Sequence, residues 1–460
     1  MSTIVVADPA TLAAVAEVPN QGVADARAAV DAAHAAFPAW ARTAPRHRSE
    51  ILHRAFELML RDRAALAELI SRENGKSLSD AAGEVTYAAE FFRWFAEEAV
   101  RPGGEYGEAP AGGARTLVTH RPVGVAALVT PWNFPAAMIT RKVGPALAAG
   151  CTAVLKPAAE TPLTALAIAA LLTEAGLPDG VVTVVTTADA SSIVGAWLAD
   201  QRVRKISFTG STAVGRVLLR HAADRVVNSS MELGGNAPFI VAEDADLDAA
   251  VAGAMIAKFR NGGQACTAAN RFYVHAAVAD EFVARFGAAV EKLTVGAAAD
   301  GADIGPLISA SALRRVTRTV DEAVAAGARI AHQAATPSLP GHFYPPTILV
   351  DVAPDAEILT EEIFGPVAPI VTWTDEAAML NQVNATEYGL AGYVFAGDLA
   401  RAIRLGEAVE AGMVGINRGL VSDPSAPFGG VKQSGLGREG ARDGLREFQE
   451  THYLSVAWPA

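Results

Sequence analysis

Cysteine is almost absent: Cys151 and Cys266 are the only two in 460 residues. Two cysteines are no disulfide framework, so a stapled secreted scaffold is excluded and a reducing compartment is the simpler expectation. Positive charge is also short. The formal net charge is −12, which argues against general affinity for nucleic acid or an anionic membrane, while leaving room for a local basic pocket that holds an anionic ligand. Long hydrophobic runs are missing as well. The apolar stretch near Thr164 to Leu172 is broken by Glu174 and Gly176 and is too short to span a bilayer. The opening segment, Met1 to Asp8, has neither the basic region nor the apolar core of an export signal. A cytoplasmic protein with no membrane and no nucleic-acid partner is therefore expected. Internal repeats and low-complexity tracts are lacking too.

What is present is apolar surface enough for more than one core. With 51% hydrophobic residues over this length, two to four domains are expected. From Val23 to Ala99 apolar residues recur at helical spacing among Arg, Glu and Asp, predicting a shoulder of amphipathic helices. Between Gly103 and Pro122 glycine, proline and alanine take over, and Arg115 to Arg121 alternates like an exposed strand or hairpin. Short apolar strands then alternate with helices: Gly124 to Thr130, helix Pro135 to Ala149, Thr152 to Lys156, helix Pro162 to Ala175, Val181 to Val185, and Lys205 to Phe208. That rhythm predicts a parallel, doubly wound sheet with its ligands at the carboxyl ends of the strands. A second α/β region runs from Pro238 to about Pro427, with strands near Phe239, Phe272 and Ile348 and helices near Leu247 and Asp321. Thr451 to Val456 reads as a strand with no partner nearby in sequence.

Three segments carry chemistry. Phe259-Arg260-Asn261-Gly262-Gly263-Gln264-Ala265-Cys266 places a thiol just past an apolar helical run. Met231-Glu232-Leu233-Gly234-Gly235-Asn236 offers a carboxylate next to glycines, and Pro131-Trp132-Asn133-Phe134-Pro135 offers a side-chain amide between prolines. Nucleophile, base and oxyanion donor are all available. A free thiol with pKa near 8.5 is only about 3% thiolate at pH 7, so a working nucleophile needs help from its surroundings. Taken alone, Cys266 reads as an inert buried thiol and Glu232 as a turn residue. Cys151, in Ala148-Ala149-Gly150-Cys151-Thr152, has no reactive setting and is expected in the core. A fourth segment, Phe208-Thr209-Gly210-Ser211-Thr212, follows a strand and opens a helix, so its N–H groups and the helix dipole suit a pyrophosphate. By contrast Gly435-Leu436-Gly437-Arg438-Glu439-Gly440 matches a dinucleotide fingerprint literally, but only twenty residues follow it, too few for a strand–helix–strand unit.

Together these segments, in this order, resemble the aldehyde dehydrogenase superfamily, most closely its succinate-semialdehyde dehydrogenases, over nearly the whole chain. The resemblance implies an α/β fold with a variant Rossmann cofactor domain (1–103 and 123–233), an α/β catalytic domain (234–434) and a small β oligomerisation hairpin and tail (104–122 and 435–460). It implies a homodimer or homotetramer, and strand-like segments near Leu117 and Leu454 suit pairing across subunits. It implies attack by Cys266 on an aldehyde, an oxyanion held by Asn133 and the Cys266 N–H, hydride transfer to a nicotinamide, and hydrolysis of the thioester with Glu232 as base. That base favours a free acid over a coenzyme A thioester. Trp132, Lys156, Ala159, Thr209, Gly210, Ser211, Leu233, Glu362 and Phe364 are the implied cofactor residues. Ala159 stands where NAD-preferring relatives often have glutamate, so NADP is expected, with NAD kept open by Glu160. Arg141, Arg260 and Ser422 match a carboxylate-binding set, pointing to succinic semialdehyde. Taken alone, Arg141 would lie on a solvated helix face and Arg260 would favour a helix C-terminus. No metal is expected. Three departures stand out: Ala268 where many relatives have a second cysteine, so that no disulfide switch is expected; Arg418 near the Ser422 loop; and an N-terminus that reads as lacking an opening strand pair. The rivals are a dehydrogenase for glutarate semialdehyde or an uncharged aldehyde, a cofactor-independent thiol hydrolase, and a non-catalytic homologue.

Overall fold

Val125–Val129 and Thr152–Lys156, runs rich in valine, leucine and alanine, are buried at every position, as central strands must be when helices cover both faces of a parallel sheet. The computed structural model describes residues 2–101 and 103–458. Met1, Pro102 and 459–460, which the expected domain bounds include, lie outside the described residues.

Among the described residues these two strands join a sheet in the order Gly435–Leu436, Asn228–Glu232, Val203–Thr209, Val125–Val129, Thr152–Lys156, Val182–Val184. Its strands are parallel except for Gly435–Leu436. The chain first builds outward from Val125–Val129 on one side and then returns to its other side with Val203–Thr209. That reversal opens a crevice at the carboxyl ends, where open α/β sheets take their ligands. The glycine run that fits a dinucleotide fingerprint does not belong to such a unit: Gly435–Leu436 lies antiparallel to Met231 and Glu232. A second sheet runs Arg329–Gln333, Thr347–Val350, Val367–Trp373, Ala269–His275, Ala237–Val241, Ala391–Phe395, Met413–Ile416, and only its first strand is antiparallel to its neighbour.

The helical shoulder is Val23–Trp40, Pro45–Arg61, Arg63–Asn74 and Leu78–Ala99. Leu78–Ala99 packs Phe91, Phe92 and Phe95, all fully buried, toward the helix Ala137–Ala149, whose residues are buried throughout. Arg141 on that helix therefore does not lie on a solvated face. Cys151 is buried in the same core. Among the described residues no helix is long and apolar enough to cross a membrane.

One expectation is corrected. An opening strand pair is present: Thr3–Ala7 and Ala14–Pro19 form an antiparallel hairpin. Its turn is closed by Asp8, whose carboxylate accepts the Ala10 N–H at 2.7 Å. Sequence spacing hid this pair because a turn held by a side chain carries no Asn-Gly or Gly-Gly signal. The segments around Leu117 and Leu454, which have no partner nearby in sequence, pair with each other within the chain. Gln449–Ala457 runs antiparallel along Ala114–Pro122, with Leu454 opposite Leu117, and Glu105–Glu108 forms the other side. The partners are over 300 residues apart in sequence, so only the tertiary fold brings them together.

Candidate active site

The site is built around the segments that follow Glu232 and Phe259. Glu232 is the last residue of its strand, and Gly234 and Gly235 then carry the backbone against the nucleophile loop. A Cβ on Gly235 would sit 2.4 Å from the Cys266 carbonyl oxygen, so only glycine permits this approach. The helix Leu247–Phe259 ends at Arg260, and Asn261, Gly262 and Gly263 follow with φ of 53°, 60° and 72°. This left-handed run turns the chain sharply and sets Cys266 just before the strand Ala269–His275.

Cys266 is half-buried on a cleft of about 290 Å³ that also brings together Trp132, Asn133, Thr209, Gly210, Ser211, Leu233, Glu362 and Phe364. Those nine expected residues come from five separated segments. Asn133 is buried; its Nδ2 donates to the Gln264 carbonyl at 3.0 Å, and its Oδ1 has no partner. One amide N–H is left for the cleft. Trp132 and Phe364 meet edge to face, centroids 5.4 Å apart. Glu362 turns inward, and its Oε1 accepts the Gly235 N–H at 3.3 Å. Burial pushes its carboxyl up to about 7, against the Gly235 bond, Arg315 and Lys258.

Thr209 ends its strand, and Ser211 caps the helix Thr212–Ala223 by accepting the Val214 N–H. The Thr209 hydroxyl is buried without a partner. An orphaned donor beside a helix N-terminus, on a cleft edged by aromatic rings, fits a phosphate-linked nicotinamide cofactor. Lys156 and Ala159 stand beyond the cleft lining. The Lys156 ammonium is buried and donates to the Pro157 carbonyl at 2.8 Å; burial lowers its pKa to about 8, with Glu160 opposing.

Glu232 is buried with neither carboxylate oxygen hydrogen-bonded. Its pKa is raised well above 4.5, first by burial and then by the Glu439 charge, while Lys142 and Arg141 oppose. Burial likewise pushes the Cys266 thiol up to about 12, with Glu362 adding to the rise and Arg141 opposing it. In this state Cys266 is a thiol, and the expected activation rests on proton removal at the moment of attack.

Arg141 is fully buried. Its Nη2 donates to the Tyr87 hydroxyl at 2.6 Å, and its guanidinium lies 4.1 Å from the centroid of Phe428. The Arg260 charge and the Ser422 hydroxyl also act on the Tyr87 phenol, and both arginine charges act on Cys266. Arg260 stacks on the Phe134 ring at 5.1 Å. The three residues expected to hold a carboxylate thus gather around one phenol near the thiol.

The comparison with known proteins decides the family. The model of the aldehyde dehydrogenase family matches residues 1–454. This chain belongs to the aldehyde dehydrogenase family. It is 54% identical over 436 residues to a succinate-semialdehyde dehydrogenase of Paenarthrobacter nicotinovorans, covering 95% of this chain and 97% of that one. It is 49% identical over 456 residues to a glutarate-semialdehyde dehydrogenase of Pseudomonas putida, covering 99% and 94%. The crystal structure of an Escherichia coli NADP dependent enzyme superposes with a TM-score of 0.97 at 47% identity, covering 99% of this chain and 95% of that one. The α/β fold expected from the sequence is therefore the aldehyde dehydrogenase fold, and the protein is an enzyme of that family.

Sequence reasoning missed several residues of this aldehyde dehydrogenase site. Tyr87 sits inside an amphipathic helix with nothing local to mark it. Lys142 and Glu439 form a buried ion pair of 2.5 Å behind Glu232, and Glu439 also lies 3.4 Å from Arg141 without hydrogen-bond geometry. Glu439 stands in the glycine run whose strand lies antiparallel to Met231 and Glu232, where its spacing carried no sign of a partner. Arg418 is exposed, and its charge helps hold the Asp423 carboxyl low, after the bonds from Ser425.

Proposed function

We propose that the protein oxidises succinic semialdehyde to succinate through a Cys266 thiohemiacetal and thioester, with NADP as preferred cofactor. The observation that carries the substrate class is the gathering of Arg141, Arg260 and Ser422 around the Tyr87 hydroxyl, within electrostatic reach of Cys266. Two guanidiniums can hold one carboxylate through forked, charge-assisted bonds. The likeness to both succinate- and glutarate-semialdehyde dehydrogenases supports an ω-carboxy aldehyde, and it makes glutarate semialdehyde the second reading.

In this reading the Cys266 sulfur adds to the aldehyde carbon as its proton passes to solvent water, the carbonyl π pair moves onto oxygen, and the Asn133 amide with the Cys266 N–H holds the resulting oxyanion. Thr209, Gly210, Ser211, Leu233, Glu362, Phe364 and Trp132 would hold a nicotinamide, which when bound would accept the hydride lost from the former aldehyde carbon as the oxyanion collapses to the Cys266 thioester. Glu232 takes a proton from water as it attacks the thioester, and the carboxylic acid leaves as Cys266 regains its proton. The buried carboxyl of Glu232, unbonded and with its pKa raised by burial and by Glu439, supports such a base, because a carboxylate that holds protons more tightly than an exposed one takes them from water more readily. Ala159 beside Lys156 supports NADP: no carboxylate stands there to repel a 2′-phosphate. A cofactor-independent thiol hydrolase would have no use for the Glu362 and Thr209 arrangement.

We further propose the division into cofactor domain (1–103, 123–233), catalytic domain (234–434) and assembly element (104–122, 435–460), the last lending Gly435–Leu436 to the sheet of the first. The free edges of the three-stranded sheet suit assembly of a homodimer or homotetramer. A cytoplasmic setting suits a nucleophilic thiol that must stay reduced. The test is the initial rate of reduced nicotinamide formation with succinic, glutaric and uncharged semialdehyde-length aldehydes, each with NADP and NAD at matched concentrations. Fast turnover favouring NADP and succinic semialdehyde is expected; equal rates with the uncharged aldehyde would discard the carboxylate assignment.

A further inference from the structure

Behind the cleft, at the start of the helix Leu78–Ala99, lies an ion pair shut off from water. Lys76 and Glu84 have no side-chain exposure, and their charges meet at 2.5 Å. Burying two charges is costly and seldom adds stability over apolar residues of the same volume, so such a pair needs another reason to persist. Its hydrogen bonds supply one. The Lys76 ammonium donates to the main-chain carbonyl of Asn133 at 2.7 Å and lies 4.0 Å from the centroid of the Phe134 ring. Glu84 accepts the N–H groups of Ala136 and Ala137 at 2.8 and 3.3 Å, fixing the segment that leads from Asn133 into the helix Ala137–Ala149.

The same carbonyl of Asn133 accepts a second bond, 2.8 Å long, from the Asn261 side chain. Asp80, one turn from Glu84, accepts the Asn261 N–H at 2.7 Å. The Asn133 side chain then reaches back to Gln264, two residues before Cys266. Lys76, Asp80 and Glu84 thus brace the amide segment and the nucleophile loop from one helix end, while none of the three lines the cleft.

We propose that Lys76, held by Glu84, is a positioning residue for the oxidation: it fixes the Asn133 carbonyl so that the remaining Asn133 amide N–H faces the carbon attacked by Cys266. This rests on Asn133 being the oxyanion donor. A reacting geometry loosened by about an ångström costs on the order of a hundredfold in rate. Lys76→Met should therefore lower kcat about 10- to 100-fold, per folded site counted by cofactor-binding stoichiometry. KM for the aldehyde and Kd for the cofactor should stay within about twofold, since neither ligand touches Lys76 in this arrangement.

The deciding measurement is a double-mutant cycle of kcat with Asn133→Ala. If Lys76 acts through Asn133, adding Lys76→Met to Asn133→Ala costs less than about a further twofold. Multiplicative losses, or an unchanged kcat for Lys76→Met, overturn the proposal. Should Lys76→Met not fold, Glu84→Gln runs the same cycle: it keeps an acceptor for Ala136 and Ala137 and removes only the charge beside Lys76. A normal turnover for Asn133→Ala alone is a separate result, and it overturns the oxyanion reading itself.

Discussion

The Arg141 guanidinium donates a 2.6 Å hydrogen bond to the Tyr87 hydroxyl, so the side chain we propose to grip a carboxylate is itself held by a phenol from another helix. Tyr87→Phe removes that bond and leaves the ring. A single hydrogen bond is worth about 0.5–1.5 kcal/mol net, so KM for succinic semialdehyde should rise roughly two- to tenfold. The KM of an uncharged aldehyde should not move. Equal changes for both would remove Tyr87 from substrate recognition.

Cys266 is a thiol at neutral pH in this state, because burial and Glu362 push it up to about 12. Its alkylation by iodoacetamide in the cofactor-free enzyme should therefore climb about tenfold per pH unit from 7 toward 10, with no plateau near 8.5. Glu362→Gln takes away a charge that raises the thiol, so the variant should react faster at pH 8. A plateau below pH 8 would show a thiolate already formed.

Glu232 gives a prediction of opposite sign for stability and activity. Its folded pKa lies well above 4.5, so above that pH the unfolded chain holds fewer protons at this group and the folded state loses stability as pH rises. Glu232→Gln should stabilise the protein at pH 8 and change its stability little at pH 4.5. Its turnover should fall about a hundredfold or more, with an acyl-enzyme accumulating. Denaturation midpoints at the two pH values, with mass spectrometry of the stalled enzyme, check both halves.

Ala159→Glu places a carboxylate three residues beyond Lys156. Repulsion of a 2′-phosphate should lower kcat/KM for NADP at least about tenfold while that for NAD holds or rises. Parallel changes with both cofactors would mean that this position does not read the phosphate.

The aldehyde dehydrogenase assignment was legible from Asn133, Glu232, the Gly210 turn and Cys266 because those segments are local: each needs a glycine or proline context that shows in a few consecutive residues. The alternating strands were legible for the same reason, since a strand buried on both faces must be a short apolar run. The opening hairpin was not, because its turn is held by the Asp8 side chain, which has no distinctive spacing. Nor was the pairing of Leu117 with Leu454, which joins distant parts of the chain.

Residue types and their order determined the chemistry on offer: one thiol, one carboxyl and one amide in settings that suit a nucleophile, a base and an oxyanion donor. Whether those groups are poised was decided in three dimensions. Burial without hydrogen bonds raises Glu232, the Tyr87 phenol gathers Arg141, Arg260 and Ser422, and Lys76 with Glu84 braces Asn133. Electrostatic shifts and side-chain aim depend on what is excluded from each group's surroundings, above all water, and that exclusion exists only once the helices and sheets have packed.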